Sequence, residues 1–300
     1  MAIEWGVPTI GEIRYREVGE GEEPEIVDVY FTTVSELLAR TGGSELPPRQ
    51  AVESNYRHIL RTGFFRVAEL DGRIVSICGA IVRDDLWYLA SFWTLPGFQR
   101  RKIGGPLLDM IWDLGRRAGA RTFFTWSSSD LAAMASYMRK GMLPGCQILK
   151  FKGAPRDLPP APSNCEVEPL DISTAMEMDR DVRGASREPD HAFWLGMDDV
   201  SGREVRRGDE LMGYYYISKS VVGPMAWNDS RHAKNMLSLA FHDALKNGSA
   251  EIVFCVPGMN HDALRFALGA GLRLTGYSHL LATGPFGRME TYVPSGAALF

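Results

Sequence analysis

The stretch Gly153 to Pro169, GAPRDLPPAPSNCEVEP, constrains this chain more than any other. Pro155, Pro159, Pro160 and Pro162 each fix φ and remove a backbone donor, so the segment excludes helix and favours an extended spacer. It leaves about 150 residues before it and about 130 after, each near the size of one hydrophobic core. The expected organisation is a first domain over 1–153, a linker over 154–168 and a second domain over 169–300.

Composition narrows the classes of partner. Lys and Arg total 33 against 37 Asp and Glu, a formal charge of -4, so there is no basic surplus for nucleic-acid phosphates or anionic lipid. Cys78, Cys146, Cys165 and Cys255 form no Cys-x-x-Cys, and the six histidines never fall at a ligand spacing such as His-x-x-x-His. Neither a disulfide framework nor a metal is expected. The longest apolar run, Ile74 to Val82, is far short of the roughly 20 residues of a membrane span. Residues 1 to 20 carry Glu4, Glu12, Arg14 and Glu17 and no signal-peptide core. A cytoplasmic protein, monomer or homodimer, is expected.

The periodicity of the first half predicts an edge strand over Ile13 to Val18 and a helix from Pro24 that ends at Gly42-Gly43. A second helix runs from Pro47-Pro48 to Gly63. Phe64 to Leu70, Arg73 to Val82 and Leu86 to Thr94 read as a three-strand meander with turns at Asp71-Gly72 and Asp84-Asp85. A helix from about Ile103 to Arg117, a strand Arg121 to Trp126, a helix Asp130 to Lys140 and a strand through Gln147 to Phe151 complete the order βααβββαβαβ. The tail of the second half repeats this order. A shift of 130 residues places Glu251 to Val256 on Arg121 to Trp126, and sets Asn260, Ala263 and Gly271 on Asp130, Ala133 and Gly141. The matched caps and terminal glycines point to a duplication.

The stretch richest in chemistry is Thr94-Leu95-Pro96-Gly97-Phe98-Gln99-Arg100-Arg101-Lys102-Ile103-Gly104-Gly105-Pro106. A strand gives way to a loop with three consecutive cations, and paired glycines precede a proline that suits a first helical turn. Free amides at the helix start, close approach at Gly104 and Gly105, and the charge of Arg100, Arg101 and Lys102 all favour an anion such as a diphosphate.

This stretch resembles the pyrophosphate loop of the GNAT superfamily of acyl-CoA N-acyltransferases: Arg or Gln, two residues, Gly, one residue, then Gly or Ala. Gln99 and Gly104 match, and Lys102 stands where the first glycine is usual. Asp130, Ala133, Tyr137, Gly141 and Met142 resemble the family's Asn-x-x-Ala-x-x-x-Tyr-x-x-x-Gly-Phe helix, with Asp for Asn and Met for Phe. The resemblance implies a mixed α/β fold: two tandem GNAT-like domains, each a mostly antiparallel mixed sheet flanked by helices. It further implies binding of acetyl-CoA by Trp93, Thr94, Leu95, Gln99, Arg100, Arg101, Lys102, Ile103, Gly104, Gly105 and Asp130. The strand before the loop would splay and offer main-chain groups of Phe92 to Thr94 to the pantetheine arm, with N–H groups near Trp93 to Leu95 polarising the thioester carbonyl.

Tyr137 is the expected general acid, since a phenol with an ordinary pKa near 10 is protonated at neutral pH and can donate to a thiolate. The shift of 130 places Lys234 and Asn235 on Gly104 and Gly105, and Ala267 on Tyr137, so the second copy is expected to lack the chemistry. The acceptor would be a small primary amine. No glutamate lies on Leu86 to Thr94, so the base is left open among water, Glu69 and an already neutral amine. One rival reading is a catalytically weak acyl-CoA-binding or partner-binding pseudoenzyme; another is a phosphate-binding α/β protein whose loop takes a nucleotide, weakened because no Gly-Lys-Ser/Thr follows the glycines. His58 reads as a packed helix residue. His191, beside Asp190, Phe193 and Trp194, fits a substrate cleft or a packed helix equally.

Overall fold

The structure is a computed structural model and describes residues 12–42 and 45–300; Gly43, half of the first expected helix stop, lies outside them. By backbone contact the chain gathers into two units: residues up to 81 with 91–117, and residues 82–90 with 118–300.

The first unit holds β1 (Arg14–Glu17), α1 (Glu23–Thr41), α2 (Arg49–Thr62), β2 (Phe64–Leu70), most of β3 (Arg73–Arg83), the later part of β4 (Leu86–Thr94), a 3-10 turn at Pro96–Phe98, and α3 (Gly104–Arg117). The element order matches the sequence expectation. β1 pairs antiparallel with β2 and β2 with β3; Asp71 and Gly72, both at positive φ, turn the β2–β3 hairpin so that Leu70 faces Arg73. Helices α1 and α2 bury the apolar faces that their periodicity marks: Ile26, Val27, Val29 and Val34 on one, Val52, Tyr56 and Ile59 on the other.

The second unit holds the start of β4, then β5 (Thr122–Ser127), α4 (Leu131–Arg139) and β6 (Leu143–Gly153). It continues through β7 (Glu166–Pro169), α5 (Ile172–Val182), α6 (Glu188–Leu195), β8 (Ser201–Arg207), β9 (Glu210–Ile217) and β10 (Val222–Trp227). After a 3-10 turn at Ser230–His232 come α7 (Ala233–Lys246), β11 (Ile252–Pro257), α8 (His261–Gly269), β12 (Arg273–Ala282) and β13 (Tyr292–Val293). β5, α4 and β6 recur as β11, α8 and β12 with each start displaced by 130 residues. The caps recur too. Asp130 accepts from the amides of Ala132 and Ala133, both at 2.9 Å, and Asn260 accepts from Ala263 N at 3.1 Å. Gly141 and Gly271 close the two helices at φ +87° and +76°, a region that penalises any Cβ. Helix α7 starts 129 residues after α3, so Ala233 and Lys234, not Lys234 and Asn235, stand opposite Gly104 and Gly105.

One sheet in this unit has the order β13-β10-β9-β8-β7; the other runs β4-β5-β12-β6-β11. Thus β12 lies between β5 and β6, and β6 lies between β12 and β11, all antiparallel. Each copy inserts its last strand into the other's ladder, and under the shift of 130 the order reads the same in both directions.

The proline segment has no helix or strand over 154–165 and is docked, not free. Pro159 O accepts from Ser238 Oγ (2.8 Å) and His242 Nε2 (2.9 Å), and Arg156 N donates to Ala270 O (2.7 Å). Leu158 packs on the core formed by β9, β10, α7, β11 and α8.

His191 has no exposed surface and lines no cleft; its ring packs against Trp194, Tyr214 and Tyr216. Its Nε2 is 2.9 Å from Asp179 Oδ2 and its Nδ1 2.8 Å from the Tyr216 hydroxyl. A neutral ring satisfies both contacts, with Nε2–H donating to the carboxylate and Tyr216 donating to Nδ1. Arg187 and Tyr214 also donate to Asp179. Arg83 binds Asp190 through two nitrogens, at 2.9 and 2.6 Å. His58 is likewise buried, as its helix position suggested.

Candidate active site

The basic loop follows the part of β4 that has separated from β5. β4 runs parallel to β5 only from Leu86↔Thr122 to Leu89↔Thr125, then continues to Thr94. Leu95 N donates to Val75 O at 2.9 Å and Trp93 O accepts from Ser76 Oγ at 3.1 Å, so the main chain of residues 93 and 95 is turned toward β3. Successive residues of a strand direct their N–H and C=O to opposite sides, which turns Phe92 and Thr94 the other way. Thr94 O is capped by Gln99 Nε2 at 3.0 Å. The expectation that amides from Trp93 to Leu95 face a ligand is corrected at Leu95, whose amide is already engaged by Val75 O; the main chain of Phe92 and Thr94 is directed away from β3.

The loop backbone then alternates in sign. Arg100 and Lys102 both have φ +61°, while Gln99 is extended and Arg101 and Ile103 are not among the positive-φ residues. A left-handed residue on each side of Arg101 turns the loop sharply, and turns of this kind recur in anion-binding loops. Lys102 therefore takes a left-handed conformation that glycine adopts without penalty. Non-glycine residues pay about 1 kcal/mol or more there. Lys102→Gly is accordingly expected to stabilise the protein by about 0.5–1 kcal/mol, read from thermal melting; a lowered melting temperature would contradict the strain argument.

The two glycines differ. A Cβ on Gly104 would come within 2.9 Å of Phe92 Cζ, so this glycine seats α3 against the β4 ring. A Cβ on Gly105 would meet nothing within 4 Å; that side of the helix start is open. The Gly104 and Gly105 amides precede any intrahelical acceptor, and the positive end of the helix dipole adds to them. Pro106 is the third residue of α3, inside its first turn, where its missing N–H has no intrahelical partner. Ile103 is buried and its carbonyl accepts from Tyr15 Oη at 3.1 Å, a clamp 88 residues away in sequence. Arg100, Arg101 and Lys102 are exposed, with Arg101 over the Phe98 ring at 5.5 Å.

In the second unit, Tyr137 is the buried residue of α4, 5% exposed. Its carbonyl accepts from Lys140 N and Met142 N at 3.0 and 3.1 Å. Ala267 O accepts from Leu272 N at 3.0 Å in the same turn of the second copy, so the scaffold recurs while the phenol does not. Asp130 works as the cap of α4. No group of three or more His, Cys, Asp or Glu able to hold a metal occurs among the described residues, and no described helix is long and apolar enough to cross a membrane.

Residues 31–142 match the acetyltransferase (GNAT) family. The whole chain has the fold of tandem GNAT proteins. A candidate acetyltransferase from Pyrococcus horikoshii superposes with a TM-score of 0.78 at 16% identity, over 96% of each chain. A tandem GNAT protein from the clavulanic acid biosynthesis pathway superposes at 0.63 and 13% identity, over 91% of this chain and 99% of that one. A GCN5-related N-acetyltransferase from Sphaerobacter thermophilus gives 0.65 and 14%, over 94% and 100%. Among curated proteins none matches.

Proposed function

We propose that this protein is an N-acetyltransferase that moves an acetyl group from acetyl-CoA to the primary amine of a small molecule. The observation that carries the reading is the alternating backbone of residues 99–103 leading into an open helix start at Gly105. The amides of residues 102–105 hold the diphosphate, Arg100, Arg101 and Lys102 add charge, and the main chain of Phe92 to Thr94 takes the pantetheine arm. Asp130 acts at one remove, by fixing α4.

Acetyl-CoA supplies an acyl group activated as a thioester. A neutral amine forms the new N–C bond as the C–S bond breaks; Tyr137 Oη gives its proton to the departing sulfur and the new ammonium loses one to water. Tyr137→Phe removes the hydroxyl and keeps the ring. It is expected to lower kcat tenfold or more while acetyl-CoA affinity stays within about threefold, the mark of an interaction made mainly in the transition state. Unchanged kcat would take Tyr137 out of the mechanism. Acetyl-CoA bound by calorimetry but never consumed across an amine panel would leave binding standing and refute transfer.

A further inference from the structure

In the second copy, the strand edge that corresponds to the one proposed for the pantetheine arm is taken by the chain itself. β10 stands before α7 as β4 stands before α3. The edge of β10 away from β9 meets β11 only at its start, where Val221 bridges Val253 and Val253 N donates to Ser220 O at 2.6 Å. Further along that edge β13 takes over, with Met225 opposite Val293 and Ala226 opposite Tyr292. Tyr292 and Val293 have no exposed surface. Gly223, at φ +130°, makes room for the chain beyond them, since a Cβ there would lie 2.7 Å from Pro294 O. The residue that fastens β13 differs between the copies. Asp130 and Asn260 both cap a helix, but an ionised carboxylate only accepts, whereas a carboxamide also donates. Asn260 uses both ends: Oδ1 accepts from Ala263 N at 3.1 Å, and Nδ2 donates to Tyr292 O at 3.1 Å, with no part of the residue exposed.

We infer that Tyr292–Val293 is a strap built into the second copy: it occupies, as a strand, the edge of β10 that a pantetheine arm would need, so the chain takes up acetyl-CoA at the first copy alone. A strand returns main-chain donors and acceptors to that edge, which is how an added strand binds a sheet. Asn260 is the fastening, because it satisfies the start of α8 and the Tyr292 carbonyl with one side chain. The identity of the excluded ligand rests on the acetyl-CoA reading; the strap itself rests only on residues of the second copy.

Hydrogen exchange of the full chain, read by mass spectrometry over residues 289–294, and calorimetry with acetyl-CoA test it together. In the parent, 289–294 is expected to exchange about a hundredfold or more slowly than an unstructured peptide, with no change at saturating acetyl-CoA, and calorimetry to give one site per chain. Asn260→Asp keeps the helix cap but sets a carboxylate against Tyr292 O. Exchange over 289–294 should quicken tenfold or more while His261–Gly269 keeps its protection. Asn260→Ser, which can cap but is too short to reach Tyr292, should loosen the strap in the same way without added charge, and Asp130→Asn should leave 289–294 unmoved. Two acetyl-CoA sites per chain, exchange over 289–294 quickened by acetyl-CoA, or exchange in both Asn260 variants equal to the parent overturns the proposal. No acetyl-CoA uptake at all would strike the proposed function, and exchange in the Asn260 variants then decides the strap by itself.

Discussion

Asp179→Asn is expected to lower stability by about 3–5 kcal/mol, the usual cost of removing one partner from a buried ion pair. Asp179 has no exposed surface and is the acceptor for Arg187, His191 and Tyr214. Asparagine fits the space but turns an amide nitrogen toward donors and leaves the fully buried Arg187 without its counter-charge. For a chain of this length the melting temperature should fall by roughly 10 °C. The acid limb should change as well. Burial alone would raise the Asp179 carboxyl, but Arg187 and His191 outweigh it and hold it well below the usual 3.8. Burial also lowers the His191 imidazole below its ordinary 6.5, against the pull of Asp179. Both shifts have the same sign for stability, because in each case the unfolded chain takes up the proton first. Stability therefore falls as pH drops below about 6.5 and again below about 4; the second loss should be missing in the variant. A melting temperature within about 2 °C of the parent would show that the network does not hold the core.

Features that local chemistry encodes could be read from the sequence. Asp130 and Asn260 cap because short oxygens satisfy helix amides, Gly141 and Gly271 end helices because the next residue must turn left-handed, and Asp71-Gly72 turns a hairpin. The loop could be read as far as its glycines and charges. Lys102 could not, because a residue's type does not declare a left-handed backbone that its surroundings impose. Nor could the exchange of β6 and β12, since period 2 says that a segment is a strand and nothing about which distant strand it joins. The clamp from Tyr15 to Ile103 and the Phe92 ring behind Gly104 arise from approaches between segments far apart or on opposite faces of one turn. His191 carried a visible signal in its neighbours Asp190 and Trp194, but its chief partner Asp179 lies twelve residues earlier, on another helix.

Gly105→Glu separates folding from binding because its expected effects on the two have opposite signs. The position is exposed, at the start of α3, and a Cβ there meets nothing within 4 Å. Replacing a helical glycine and placing a carboxylate at the positive end of the dipole should together stabilise the fold by about 0.5–1 kcal/mol. The same carboxylate stands beside the amides proposed to hold two phosphoryl groups, where it competes for their donors and repels the ligand; acetyl-CoA affinity should fall tenfold or more, about 1.4 kcal/mol. Gly105→Gln carries the same length without charge and should keep affinity within about threefold, which separates electrostatics from bulk. Gly104 cannot serve in this role, since any side chain there strikes the Phe92 ring and confounds binding with packing. A Gly105→Glu protein that melts higher and still binds acetyl-CoA like the parent would place the diphosphate elsewhere and remove the ground for reading this loop as its cradle.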